Sequence, residues 1–403
     1  VTPRERAGSV AAHGKATASA AIAVTAAVLV SLAVGGSARA AEAEVTCGST
    51  VTTDVTLIAD LVCASGDGIV LGTGVTLDLG GHRLTGGGSG VGVSTSPDSI
   101  GGNTIRNGTI ENWQAGISLQ SGGGPDPFVI ADLALRNAPL SNSATFLPAH
   151  LTKVTAVDSD ISGELGGDIF INRSKLTRSH VNVFDASATI TNSTFTESPV
   201  STTHLGQVII ESSRLDGNGT SAVGFVSETV LVIRDSVVQN YAQPISGFWG
   251  GVELTGNSFS NMPNGVLGRI DSGLGFDLAS EGTSYIAGNK FTRSGVALRG
   301  NVPMIVEDNT FKQGETAVEF TRTPSLDPEI PATAERSRAI GNVVTQNSGT
   351  GILTELSGLE VGDNTVTKNG GYGIYAPGAV DLGGNVASRN ALGQCVGVVC
   401  AAK

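Results

Sequence analysis

Aromatic side chains are scarce in this sequence, at 4% of 403 residues, and only 15% of its residues are charged. So thin a charge density leaves Ser, Thr, Asn and Gly to build most of the surface. What charge there is runs negative, with 24 Lys plus Arg against 36 Asp plus Glu. A nucleic-acid partner needs a basic footprint to neutralise phosphates, and this balance argues against one. An anionic membrane surface is disfavoured by the same repulsion. No heptad pattern or long amphipathic helix occurs, which sets the all-α classes aside. A calcium-binding nonapeptide repeat is also missing. With 40% apolar residues, however, the chain lies well above the disordered range.

Cysteine is limited to four residues, placed at the two ends: Cys47 with Cys63, and Cys395 with Cys400. Neither pair has a companion His at zinc-site spacing. The residues before them explain the compartment. Arg4, Arg6 and Lys15 precede an apolar run from about Ala20 to Val34, followed by Ala38-Arg39-Ala40. A basic start, a short apolar middle and an A-x-A end describe a secretory signal cleaved after Ala40. The domain reading is therefore residues 1–40 as signal and 41–403 as the mature protein, extracellular and free of the membrane. Four cations and one acid precede Ala41, so 20 Lys plus Arg face 35 Asp plus Glu in the mature chain. In an exported chain an even number of cysteines reads as disulfides.

What the sequence does have is repetition. The phrase Glu253-Leu-Thr-Gly-Asn257-Ser-Phe259 returns as Ile286-Ala-Gly-Asn289-Lys-Phe291 and Val306-Glu-Asp-Asn309-Thr-Phe311, then with Asn342, Asn364 and Asn385. The marked asparagines stand 32, 20, 33, 22 and 21 residues apart, a basic unit of 20 to 22 with extra material in two copies. Self-similarity at this period means a solenoid. Apolar residues alternate with period two inside each unit, as half-buried strands require. Gly, Asn, Asp and Ser fill the gaps, and asparagine is expected at the corners because it tolerates positive φ. The fold class that follows is all-β, a single-stranded parallel β-helix of about 13 coils, each rising by roughly 4.8 Å. Such a stack keeps its first and last coils apart, so two local bridges are expected, Cys47–Cys63 and Cys395–Cys400, each stapling an end that would otherwise fray. Upstream, Lys153, Arg173, Asn192, Ser212 and Asp235 continue the corner slot.

The opening GDGIVLGTGVTLDLGGHRLTG at residues 66–86, the Asn-x-Phe units and the ending GNVASRNALGQCVGVVC at residues 384–400 resemble bacterial secreted right-handed parallel β-helix repeat proteins of the pectate-lyase-like superfamily. The resemblance implies a right-handed coil and a carbohydrate ligand on the outside of one stacked strand. The matching strand carries Val266, Val296, Val318, Ile352 and Ile374 inward. Alternation then turns Leu267, Arg269, Ala297, Arg299, Glu319, Thr321, Leu353, Glu355 and Tyr375 outward. Both long asparagine intervals fall just after this strand, at Ile270 to Ser284 and Arg322 to Arg338, and would wall a groove around Arg299.

For a polysaccharide lyase, the resemblance implies a base beside the sugar carboxylate and a cation on it. Arg299 or Arg269 would be the base, with Glu319 beside them. Ca²⁺ would be held by Asp271, Asp277, Glu281, Asp327, Glu329 and Glu335. Glu355, Tyr375 and Trp249 are the expected ligand contacts. The sequence lacks the Asn-Thr-Asp, Asp-Asp and Gly-His-Gly set of polygalacturonases, the Asp-Pro-His-Asp of alginate epimerases and the Arg-x-Pro-x-x-Arg of pectate lyases. Binding of an extended polysaccharide without turnover is therefore the leading expectation. Lyase chemistry and a purely structural or adhesive rod are its rivals. A second polar cluster, His150, Lys153, Asp158, Asp168, Arg173, His180, Asp185 and His204, reads as a mixed-charge surface. Phe259, Phe291 and Phe311 should be core, and Trp113 should pack at a corner.

Overall fold

A computed structural model describes residues 45–120, 123–203, 206–219, 226–227, 230–242, 245–247, 252–262, 266–269, 284–299, 304–321 and 337–402. Of these, 226–227, 245–247, 266–269, 296–299 and 321 are described by backbone alone. All belong to one unit, Ala40–Lys403. Residues 1–40, with the expected signal segment, lie outside the description.

One coil shows how the sequence makes the fold. Ala149–Thr152 is a strand, Lys153 turns with φ 55°, Thr155–Val157 is a second strand, Asp158 turns with φ 50°, and Ile161–Glu164 is a third. A longer turn then leads to Ile169–Asn172, which pairs in parallel with Ala149–Thr152, residue for residue. Burial alternates along each strand, so Ala149, Leu151, Ala156, Ile161 and Gly163 point in and their neighbours point out. Repeating this coil builds three parallel sheets around one core. The first two run the length of the described coils. The third consists of two eight-stranded runs, from Ser49–Val51 to Val200–Thr203 and from Val226–Ser227 to Gly393–Val396. The terminal coils, whose phrases are irregular, contribute to both runs. Among the described residues there is no helix.

The core is a set of stacks. Ile171, Ile190, Ile210, Ile233, Leu254 and Ile286 are each at most 1% exposed and lie in one column of the first sheet. In the second sheet Phe259, Phe291 and Phe311 stack with ring centroids 4.9 and 4.6 Å apart, and all three are buried. Trp113 is buried at a corner and donates Nε1–H to the Leu84 carbonyl at 3.2 Å.

The asparagines have a different role from the one their turn propensity suggests. Positive φ falls on the residue before each of them, Gly256, Gly288, Asp308, Gly341, Asp363 and Gly384. The left-handed residue rotates the next N–H out of the ladder, where it is buried and needs an acceptor. Asn257, Asn289, Asn309, Asn342 and Asn364 each solve this alike: the main-chain N–H donates to the side-chain Oδ1 of the asparagine one rung on, at 2.9, 2.9, 3.1, 3.0 and 3.2 Å. Upstream, serine performs the same task, with Ser174, Ser193 and Ser213 donating to the hydroxyls of Ser193, Ser213 and Ser236, and Ser236 to Asn257. Lys153, Arg173, Asn192, Ser212 and Asp235 carry the positive φ. The true equivalent of Asn257 in each of those coils is thus the following residue. A second ladder runs after the second turn, through Ser159, Ser179 and Ser198 and later Asn347, Asn369 and Asn390.

The termini are closed covalently. Disulfides join Cys47 to Cys63 and Cys395 to Cys400, as the spacing led us to expect. The Gln394 Oε1 accepts from the Asn390 amide at 2.9 Å and so takes the place of the next rung in the second ladder.

Candidate functional site

The sheet expected to carry ligand is the C-terminal run of the third sheet, and its register places the candidate residues. Leu267, Ala297, Glu319, Leu353 and Tyr375 form one column, each paired with the next. Val318, Ile352 and Ile374 between them are fully buried, which commits Glu319, Leu353 and Tyr375 to the outer face. All three are half-buried there, and Glu355, just beyond the Ile352–Thr354 strand, is exposed. Tyr372 and Tyr375 lie on the same strand with ring centroids 5.3 Å apart and planes tilted by 46°. The result is a flat strip with a carboxylate, an aliphatic side chain and an aromatic pair on consecutive rungs.

Arg269, Arg299 and Thr321 make a parallel column. Arg299 is therefore in register with Thr321, while Glu319 is in register with Ala297. The side chains of Arg269 and Arg299 lie outside the description, as does Trp249. Both long inserts leave the sheet from this column. One follows Arg269 and the other follows Thr321, two rungs later, and the chain re-enters the first sheet at Ser284 and Arg338. The inserts themselves, with the acids expected to bind Ca²⁺, are outside the described residues. Among the described residues no group of three or more His, Cys, Asp or Glu side chains is placed to hold a metal ion.

The second polar cluster does not converge. Lys153 pairs with Asp132 at 3.1 Å, Arg178 with Asp158 at 2.7 Å, and Asp168 accepts the Ser187 N–H at 2.7 Å. His150 stacks on Phe170, with centroids 4.7 Å apart, and burial holds its ring below the ordinary value of 6.5. His204 is outside the description.

One contact in this region escaped the sequence reading. His180 Nε2 lies 2.8 Å from the Ser201 hydroxyl, which also reaches Asn182 Oδ1 at 3.0 Å. Burial lowers the His180 pKa against the opposing pull of Asp160. The Asp160 carboxylate takes the His180 main-chain N–H at 2.7 Å. Among the described residues no carboxylate lies within 4.0 Å of a His180 ring nitrogen, so the imidazole has no acidic orienting partner of the kind an acyl-transfer triad uses. The signal available in the sequence was Ser201 standing 21 residues after His180, one coil away.

Three sheets, a coil of about 20 residues and inward asparagine ladders define a right-handed parallel β-helix, and residues 250–390 match the family described as "Right handed beta helix region". The chain has a right-handed parallel β-helix fold. Two solved structures align with it at low identity and low TM-score. Tailspike protein 3 of bacteriophage CBA120 aligns with a TM-score of 0.36 and 11% identity over 86% of this chain and 56% of that one. The A-module of the Azotobacter vinelandii mannuronan C-5 epimerase AlgE6 aligns with a TM-score of 0.24 and 14% identity over 87% of this chain and 91% of that one. The chain thus spans little more than half the length of the tailspike. No curated protein matches it.

Proposed function

We propose that the protein is exported and binds an extended extracellular polysaccharide along the C-terminal run of its third sheet. The observation that carries this reading is the outer column Glu319, Leu353 and Tyr375 with the Tyr372–Tyr375 pair beside it. Aromatic faces receive the apolar faces of sugars, and a carboxylate accepts hydrogen bonds from their hydroxyls. The rungs repeat at roughly 4.8 Å, so a linear ligand lying along the coil axis meets a new rung at each step. The disulfides fit an oxidising compartment. No helix among the described residues is long and apolar enough to cross a membrane. A polysaccharide array probed with the mature protein, with and without Ca²⁺, tests the reading. Binding to one class of polymer supports it, and a blank array refutes it.

A second reading, lyase activity, draws on the register of Arg269 with Arg299. Supplying uronic-acid polymers with Ca²⁺ would then generate unsaturated ends that absorb in the ultraviolet, and Arg299→Ala would abolish them. Absence of such ends on every polymer leaves the binding function alone.

A further inference from the structure

The outer face of the second sheet changes character along the molecule. In the earlier coils two of its cations are matched, while Arg136 and Lys175 have no carboxylate within 4.0 Å among the described residues. Arg178 donates through Nε and Nη2 to Asp158, both at 2.7 Å, and Arg214 lies 3.4 Å from Asp216. From Lys290 onward the matching stops. Lys290 and Lys312 occupy exposed positions of the strands Lys290–Thr292 and Thr310–Lys312. Arg293, Lys368 and Arg389 occupy the turn that follows those strands and their successors, at φ 52°, 60° and 60°. Gln313 and Gln346 fill the same turn in the two coils between.

A left-handed backbone is costly for long side chains, and here it is held by the buried Asn347, Asn369 and Asn390 ladder directly behind. The consequence is that five consecutive turns present Arg, Gln, Gln, Lys and Arg outward on a fixed step of about 4.8 Å. Arg293 donates to Asn261 Oδ1. Lys290, Lys312, Lys368 and Arg389 have no carboxylate within 4.0 Å among the described residues. Exposed acids on these coils include Glu315, two residues past Gln313, Asp308 and Asp363 at the opposite edge of the sheet, and Asp381 in the coil of Arg389.

In a chain whose formal charge is −12, a run of unmatched cations is a local reversal of sign. We propose that this stripe binds a linear polyanionic glycan lying along the coil axis, with its carboxylates or sulfates over Arg293, Lys312, Lys368 and Arg389. Among the described residues the aromatic rings of this sheet, Phe195, Phe259, Phe291 and Phe311, are all buried, so none of them is on the stripe to stack a nucleobase. The stripe is one turn wide and set on an acidic body, which suits a single extended chain better than a bilayer surface. This inference does not depend on the third-sheet reading.

Calorimetric titration of the full chain with polygalacturonate and with dextran sulfate tests it, with neutral dextran, a single-stranded oligonucleotide and phosphatidylserine vesicles alongside. The expected result is binding of a polyanionic glycan that weakens as salt rises. The triple variant Lys312→Glu, Lys368→Glu and Arg389→Glu should lose about tenfold or more in affinity, because it sets like charges against the ligand. Arg83→Glu, which reverses an exposed cation of an early coil, should leave this affinity unchanged, which separates the stripe from the overall charge of the chain. A folded triple variant that binds as the parent does, or equal binding to the oligonucleotide or vesicles, overturns the proposal.

Discussion

Asn309 and Asn342 are 33 residues apart in sequence and one rung apart in space. The Oδ1 of Asn342 accepts the main-chain N–H of Asn309 and its side-chain amide, each at 3.1 Å. The ladder thus continues without a break across this long interval. Asn342→Ala removes the acceptor from two buried donors, and leaving such a group unsatisfied costs roughly 1–3 kcal/mol. A lower denaturant midpoint at unchanged slope is the expected outcome. Asn342→Ser should fall between the two, since a serine hydroxyl accepts the equivalent N–H upstream.

His150 and His180, both partly buried, give stability a pH dependence. His150 and His180 both have folded-state pKa values held below 6.5 by burial. The unfolded chain therefore takes up these protons first, and stability falls as pH drops below about 6.5 towards the folded values. Above that range both states bind the proton equally little and the dependence vanishes. Replacing both residues with Gln should flatten the profile between pH 7 and the acid side, read from denaturant midpoints. Carboxylates lowered by partners, such as Asp158 beside Arg178, act in the same direction only lower, below about 3.8.

Removing the Cys47–Cys63 bridge frees a loop of sequence separation 16, worth about 3 kcal/mol of chain entropy. The loss should be local to the first coils, because each coil contacts only its neighbours. Hydrogen exchange would show faster exchange at Val55, Leu57 and Ile69 with Asn309 and Asn342 unaffected. Uniform loss of protection across the chain would show that the coils unfold as one unit.

Arg234 sits between two acids on the first sheet, 2.8 Å from Glu211 and 2.8 Å from Glu253, and these partners raise its pKa. All three side chains keep more than a third of their surface in water. Solvent screening then limits the network, and Arg234→Met should cost about 1 kcal/mol or less. A loss well beyond that would mean the triad clamps its three coils.

Much of the fold was legible from spacing, because a solenoid repeats its physics every coil. Period-two apolar residues around Phe259, Phe291 and Phe311 fixed which side faces the core, and the asparagine intervals fixed the rung. What spacing did not reveal was the reason for the asparagine. A side chain that tolerates positive φ and a side chain that accepts a buried N–H leave the same mark in sequence, and only the position of Gly256 and Asp308 one residue earlier separates them. The serine ladder was harder to read, since Ser174 and Ser193 look like surface residues until their burial is known.

The candidate site was legible at the level of columns. Alternation from Val318 and Ile352 placed Glu319, Leu353 and Tyr375 outward, and register agreed. Contacts between coils depend on exact alignment, and so the Ser201 hydroxyl beside His180 and the offset of Arg299 from Glu319 could not be read from residue types.

The most direct test of the account is calorimetric titration of Tyr375→Ala and of the parent with a polysaccharide that the parent binds. Loss of one stacking face costs about 1 kcal/mol, a several-fold drop in affinity at unchanged thermal stability, and that is the result expected if sugars lie along the third sheet. Undiminished affinity in Tyr375→Ala and in Glu319→Ala would place the ligand elsewhere and contradict the account.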